Sequence, residues 1–174
     1  MREVARRAGV SHGAPAHHFG DVRGLLSEFT AESFIQLSTA MRQWRERAPS
    51  AAFEQLVASG VGYVDYALSH RARFQLMFRS ERLDRSRTSL AAAGAEAYGQ
   101  LVECVARLSR EAGAPPELDP DKVALAWSIV HGFATLLIDN EGFAERMSGG
   151  SKERALDAIR GLIDSSRDAF ERRS

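Results

Sequence analysis

From Asp119-Pro120 to Asp139 the chain runs through Val123, Leu125, Trp127, Ile129, Val130, Phe133, Leu136, Leu137 and Ile138. At helical spacing these residues take up most of the circumference. A helix apolar almost all round must be covered on more than one side. The start is well marked, with a side-chain acceptor at the N-cap and proline at the first helical position. Whatever this chain folds into, it has to wrap a helix over about 120–139 with other elements of its own or of a partner.

The rest of the sequence supplies helices for that purpose. Ala, Leu, Arg and Glu are abundant, and runs of alternating β-branched residues are short. Short helices are expected over 2–8, with Val4, Ala5 and Ala8 on one face, and over 12–18, with Ser11 as N-cap. Asp21 caps a long helix over 22–47 that carries Leu25, Leu26, Phe29, Phe34, Leu37, Met41 and Trp44. The stripe Phe53, Leu56, Val57, Gly60, Val61, Val64 and Leu68 marks a helix over 51–69, and Phe74, Met77 and Phe78 mark a short one over 71–78. The charged stretch 80–88 reads as an exposed loop. A further helix over 89–112 turns Tyr98, Leu101, Val102, Val105 and Leu108 inward. The last runs from Ser151 to about 171 with Leu156, Ile159, Leu162, Ile163 and Phe170 inward. The fold class is all-α.

Composition narrows the function classes. At 174 residues, 44% hydrophobic and 26% charged, this is ordinary globular composition. The single cysteine, Cys104, excludes an intrachain disulfide and a Cys-rich zinc site, and suits a reducing, cytoplasmic compartment. It lies on an apolar helical face, which suits an inert thiol better than a redox sensor. No stretch approaches 18 uninterrupted apolar residues, so no membrane-crossing helix is expected. Zero net charge conceals an asymmetry. Residues 1–23 carry Arg2, Arg6, Arg7 and Arg23 against Glu3 and Asp21, a net of +2, with His12, His17 and His18 besides. A basic head on a faintly acidic body points to a polyanion.

That head has the parts of a helix-turn-helix. Gly9 permits the left-handed backbone of a tight turn. Val4, Ala5 and Val10 offer small contacts between crossing helices. The second helix would present Ser11, His12, Gly13 and Ala14 at its N-terminal end, small or polar enough for the backbone to approach a DNA groove. His17, His18 and Arg23 are candidates for phosphate contact, against the blander reading of a His-rich surface. His12 and His17 are five apart, which is wrong for two metal ligands on one helical face. Neither a metal site nor a cofactor is expected.

The segment REVARRAGVSHGAPAHHFGDVRGLL resembles the DNA-binding region of the TetR/AcrR family of transcriptional regulators, through Val4-Ala5, Ala8-Gly9-Val10-Ser11, His18-Phe19 and Leu25-Leu26. Trp127, His131 and Gly132, within Trp-Ser-Ile-Val-His-Gly, resemble the Trp…His-Gly signature of one class of regulatory domain in that family. The segment HRARFQLMF at 70–78 is similar to that class's short middle helix. Ala16 stands where the family has a phosphate-touching Tyr, and Val22 where it has a Lys, with Arg23 beside it. The family's first helix would precede Met1, as if the start had been assigned late or the gene truncated.

The resemblance implies a partial helix-turn-helix and linking helix over 1–47 and a regulatory domain over 48–174. It further implies a homodimer through 120–171, double-stranded DNA as partner when the first helix is present, and a small apolar effector. Phe74, Met77, Phe78, Tyr98, Trp127 and His131 are the candidate effector residues, and plain packing is the alternative reading for them. Trp127 and His131, four apart, share a helical face. Gly132 would let a neighbouring helix come close. The function expected is a ligand-responsive repressor. The alternative is a ligand-binding and dimerisation module without DNA binding of its own. Nothing in the sequence suggests catalytic residues: it has no Gly-x-Ser-x-Gly elbow, phosphate loop or His-Glu-x-x-His.

Overall fold

A computed structural model describes residues 1–113 and 118–171. Among these it contains helices and no strand: α1 (Arg2–Ala8), α2 (Ala14–Phe19), α3 (Val22–Glu46), α4 (Ala52–Ser69), α5 (Arg71–Met77), α6 (Thr88–Glu111), α7 (Pro120–Asp139), α8 (Glu141–Ser148), α9 (Lys152–Ser165) and α10 (Arg167–Glu171). The all-α expectation holds. Three expected caps are present. The Asp21 side chain accepts from Gly24 N at 2.8 Å, Asp119 accepts from the amides of Asp121 and Lys122, and Ser151 accepts from Arg154 N at 3.3 Å.

The core centres on α4, which is buried nearly all round and packs on α3, α6, α7 and α9. It comes close to α3 at Gly62, where a Cβ would lie 2.9 Å from Met41 Cα, and to α7 and α9 at Gly60. At Gly60 a Cβ would lie 2.5 Å from Ile163 Cδ1 and 3.0 Å from Val130 Cγ1, so any larger residue must displace these side chains of α9 and α7. This is the role expected of Gly132, which has nothing of its own chain within 4 Å of a built Cβ. By length and composition α7 could cross a membrane, contrary to the reading from uninterrupted apolar runs. The structure gives its apolar residues another use: Val123, Ala126, Val130, Phe133, Ala134 and Leu137 are buried in the core. A smaller cluster, Ala31, Leu83, Leu90 and Ala93, joins α3 to the start of α6.

Several sequence expectations need correcting. Ser11 is not a cap: α2 begins at Ala14 with Gly13 in the cap position, and the Ser11 contribution is its carbonyl, which accepts from Ala14 N at 3.1 Å. Pro15, in the first turn, lacks an N–H and favours helix initiation beside it rather than earlier. Val4 and Val10 are 44% and 47% exposed, and Ala5 alone is buried on α1. The 80–88 segment is not simply solvated, since Leu83 is 3% exposed. Tyr98 and Leu162, expected inward, are 49% and 40% exposed.

The expected last helix is two. The chain turns at Ser166, and α10 brings fully buried Phe170 to 6.5 Å from the Phe53 ring and sets the Arg167 guanidinium 3.6 Å over it. An unexpected helix, α8, is capped by Asn140, which accepts from Phe143 N at 2.9 Å. It closes with left-handed Gly149.

Candidate functional site

The head is a helix–turn–helix in shape. Gly9, at φ 67°, ends α1, and Val10 N donates to Ala5 O at 3.1 Å to close the turn. Ser11, His12, Gly13, His17 and His18 are exposed and Ala14 half-buried, while Pro15 points inward. The five exposed positions thus occupy the turn and the outer face of α2. The His17 and His18 rings stand edge to face at 5.4 Å. Glu3 holds Arg6 and Arg7 at 2.6 and 2.8 Å. Arg23 is tied elsewhere: its guanidinium donates to Leu83 O at 2.7 Å, linking the first turn of α3 to the segment before α6.

That segment grips the head at a second point. Arg87 donates to the carbonyl of Phe19, the last residue of α2, and to Glu28 Oε1 on α3 at 3.0 Å. Asp84 N donates to Ser27 Oγ at 2.7 Å. Gly24 makes this possible, because a Cβ there would collide with the Phe19 carbonyl and the Arg87 guanidinium. Residues 83–87 therefore form a strap from the body across the base of α2.

Inside the body, α3, α4, α6, α7, α9 and α10 line a cavity of about 50 Å³. Its walls include Phe34, Leu37 and Met41 of α3, Tyr98 and Leu101 of α6, Trp127 of α7 and Phe170 of α10, with the Tyr98 and Trp127 rings 6.1 Å apart. None of its described lining residues carries a charge; the polar side-chain groups are the hydroxyls of Ser59, Tyr63 and Tyr98 and the indole N–H of Trp127. An apolar wall with a few polar groups set in it is the lining of a small-molecule site.

Tyr63, 3% exposed, shares a hydrogen bond of 2.9 Å with His131 Nδ1. Burial pushes the phenol well above its ordinary pKa and pulls the His131 imidazole below its own, so both are neutral around pH 7. Trp127 stacks on His131 with centroids 5.2 Å apart.

The six residues named from sequence as effector candidates are thereby sorted. Tyr98 and Trp127 line the cavity. Phe74 and Met77 are buried at 2% and 3%, and Phe74, Phe78 and His131 back the Tyr63–Trp127 wall from a separate crevice between α5 and α7. Sequence reasoning missed Tyr63, Phe170 and Arg87. Tyr63 falls outside the apolar stripe drawn on its helix, though it lies four residues after Ser59 and so on the same face. Phe170 was read as core alone, and nothing local marks Arg87. Cys104 is buried beside Gln55 O, and burial raises its thiol pKa, as an unreactive thiol requires.

Comparison with known proteins places this geometry. Residues 56–161, more than half the chain, match the family described as tetracyclin repressor-like, C-terminal domain. No curated protein sequence matches. Among solved structures, a protein with unknown function from Rhodococcus sp. RHA1 superposes with a TM-score of 0.78 at 27% identity, covering 98% of this chain and 84% of that one. The TetR family transcriptional regulator PfmR from Thermus thermophilus superposes at 0.65 with 20% identity, covering 99% and 84%; at that identity the likeness is one of fold.

Proposed function

Because this chain belongs to the TetR family of transcriptional regulators, we propose that it binds double-stranded DNA through α1 and α2 and that a small apolar effector in the body cavity controls that binding. One observation carries the reading. The same helix, α3, supplies the cavity wall through Phe34, Leu37 and Met41 and the seat of the head through Gly24. Filling the cavity acts on α3, and α3 carries α2.

In this reading residues 1–47 are the DNA-reading head with its lever and 48–174 the regulatory part. Ser11, His12, Gly13 and Ala14 face the groove and His17 and His18 lie toward phosphates, while Arg23 would reach a phosphate only with the donors that its bond to Leu83 O leaves. Trp127 and Tyr98 touch the effector, Met77 and Phe78 line the groove that continues from the cavity, and Phe74 and His131 shape the wall from behind. The chain acts as a repressor in the cytoplasm, with no catalytic step of its own.

Its dimer forms through α7 and α9. Leu136 and Leu162 are 44% and 40% exposed, and Gly132 and Gly161 have open space over them. Such a face suits a second copy across a two-fold axis. Two heads must then stand about 34–36 Å apart to enter successive major grooves.

The exposure of Val4 and Val10 favours a second reading, a ligand-binding and dimerisation module without DNA binding, because α1 is held to α2 by little besides Ala5. Selection of bound duplexes from a random DNA library separates the two. The regulator reading expects enrichment of a two-fold symmetric site; failure to enrich any sequence supports the module.

A further inference from the structure

The cavity continues beyond α3 and α6. Phe34 and Gly94 belong both to its wall and to an open groove that runs back along α6 past Ala91 and Leu90 to Leu83 and Arg85. From Leu90 to Leu101 this passage follows about 16 Å of helix, at 1.5 Å per residue. Small residues keep it open. A Cβ added to Gly94 would just touch the Phe34 ring, at 4.0 Å, and a branched side chain such as leucine would fill the join.

The two ends differ in chemistry. The cavity wall is apolar but for the hydroxyls of Ser59, Tyr63 and Tyr98 and the indole N–H of Trp127, and holds no charge among its described residues. The outer end holds the Arg85 guanidinium, exposed and with no hydrogen bond or ion pair to any described residue. The neighbouring Asp84 carboxylate is engaged by Ser86 and Arg87 and leaves Arg85 free.

We propose that the effector is an anionic amphiphile, a slender apolar chain lying along α6 with a carboxylate head at Arg85. This rests on the reading of the cavity as the effector site and names the class of molecule it takes. The head group then sits on the strap itself, between Arg23-bound Leu83 and Phe19-bound Arg87, where occupancy reaches the DNA-reading head by the shortest route.

Calorimetric titration of the full chain with decanoate and with decanol, at neutral pH, tests the proposal. Decanoate is expected to bind about fivefold more tightly than decanol, the upper range for an exposed ion pair. Arg85→Gln, an exposed substitution, should erase that difference by weakening decanoate far more than decanol. Gly94→Leu should weaken both, with thermal unfolding recorded to show that the variant is folded. Equal binding of the two ligands by the parent chain, or a decanoate preference that survives Arg85→Gln, overturns the head-group assignment. Unchanged binding by folded Gly94→Leu overturns the passage. If neither chain compound binds while naphthalene does, the amphiphile falls and the apolar cavity stands; if naphthalene fails as well, the effector-site reading falls with it.

Discussion

The Arg87 guanidinium donates to the main-chain carbonyl of Phe19, 68 residues earlier, and so caps the last turn of α2 from the regulatory body. Helix C-terminal carbonyls have no partner within the helix. Here the cation that satisfies one comes from another part of the chain, half-buried and paired with Glu28 as well. The head is held by α3 beneath it and by this strap across its base.

Removing the strap should loosen the head and spare the core. Arg87→Gln is expected to cost about 1.5–3 kcal/mol of local stability, the range for a hydrogen bond to a charged group. Amide exchange across 2–20 should accelerate while that of α4 and α7 does not. Gly24→Ala should act alike, since its Cβ meets the same carbonyl and guanidinium. Uniform acceleration through the whole chain would show that the strap stabilises the body rather than the head.

Glycines on two helices should respond in opposite ways. Gly60→Ala forces a Cβ against Ile163 and Val130 and is expected to cost about 1–3 kcal/mol by overpacking. Gly132→Ala meets open space and should gain up to about 1 kcal/mol from helix propensity in the monomer. Denaturant unfolding at low protein concentration checks both. Sedimentation then asks whether Gly132→Ala weakens self-association, as a tight α7 interface requires.

His131 predicts an acid dependence. Burial lowers its folded pKa below the unfolded value of about 6.5, so the unfolded chain takes up the proton first. The stabilising contribution is complete above that value and is lost as pH falls through it toward the lower folded pKa. Denaturation midpoints should therefore fall more steeply on acidification in the parent chain than in His131→Gln. Parallel curves would mean that His131 is no more desolvated folded than unfolded.

Phosphate contact by α2 has a salt signature. His17→Ala combined with Arg23→Ala should weaken binding to all DNA sequences alike and flatten the dependence of log K on log salt. Arg23→Ala also removes the bond to Leu83 O, so amide exchange in the strap must be recorded beside it. An unchanged salt slope would take these residues off the phosphates.

What the sequence discloses follows how local each signal is. Asp21, Asp119-Pro120 and Ser151 announce helix starts within three residues, and all three caps form. The family was readable from Ala8-Gly9-Val10-Ser11 and from Trp127 with His131. Start signals fail where a neighbour competes, as Gly13 and Pro15 displace Ser11. The turn at Ser166 is dictated from a distance, by Phe53 drawing in Phe170 and Arg167. The cavity could not be read from one helix, because its wall is made by several. Arg87 lay hidden in a charged run whose solvated appearance gives no hint of the Phe19 carbonyl.

The central claim, that the cavity and the DNA-reading head share one equilibrium, is tested most directly by titrating a selected duplex with the full chain, with and without a saturating cavity ligand. Coupling of about 1–3 kcal/mol predicts a shift in Kd of about 5–150-fold, with the ligand's own affinity altered by the same factor when DNA is present. Superimposable titration curves, with the ligand shown to be bound in both, would contradict it.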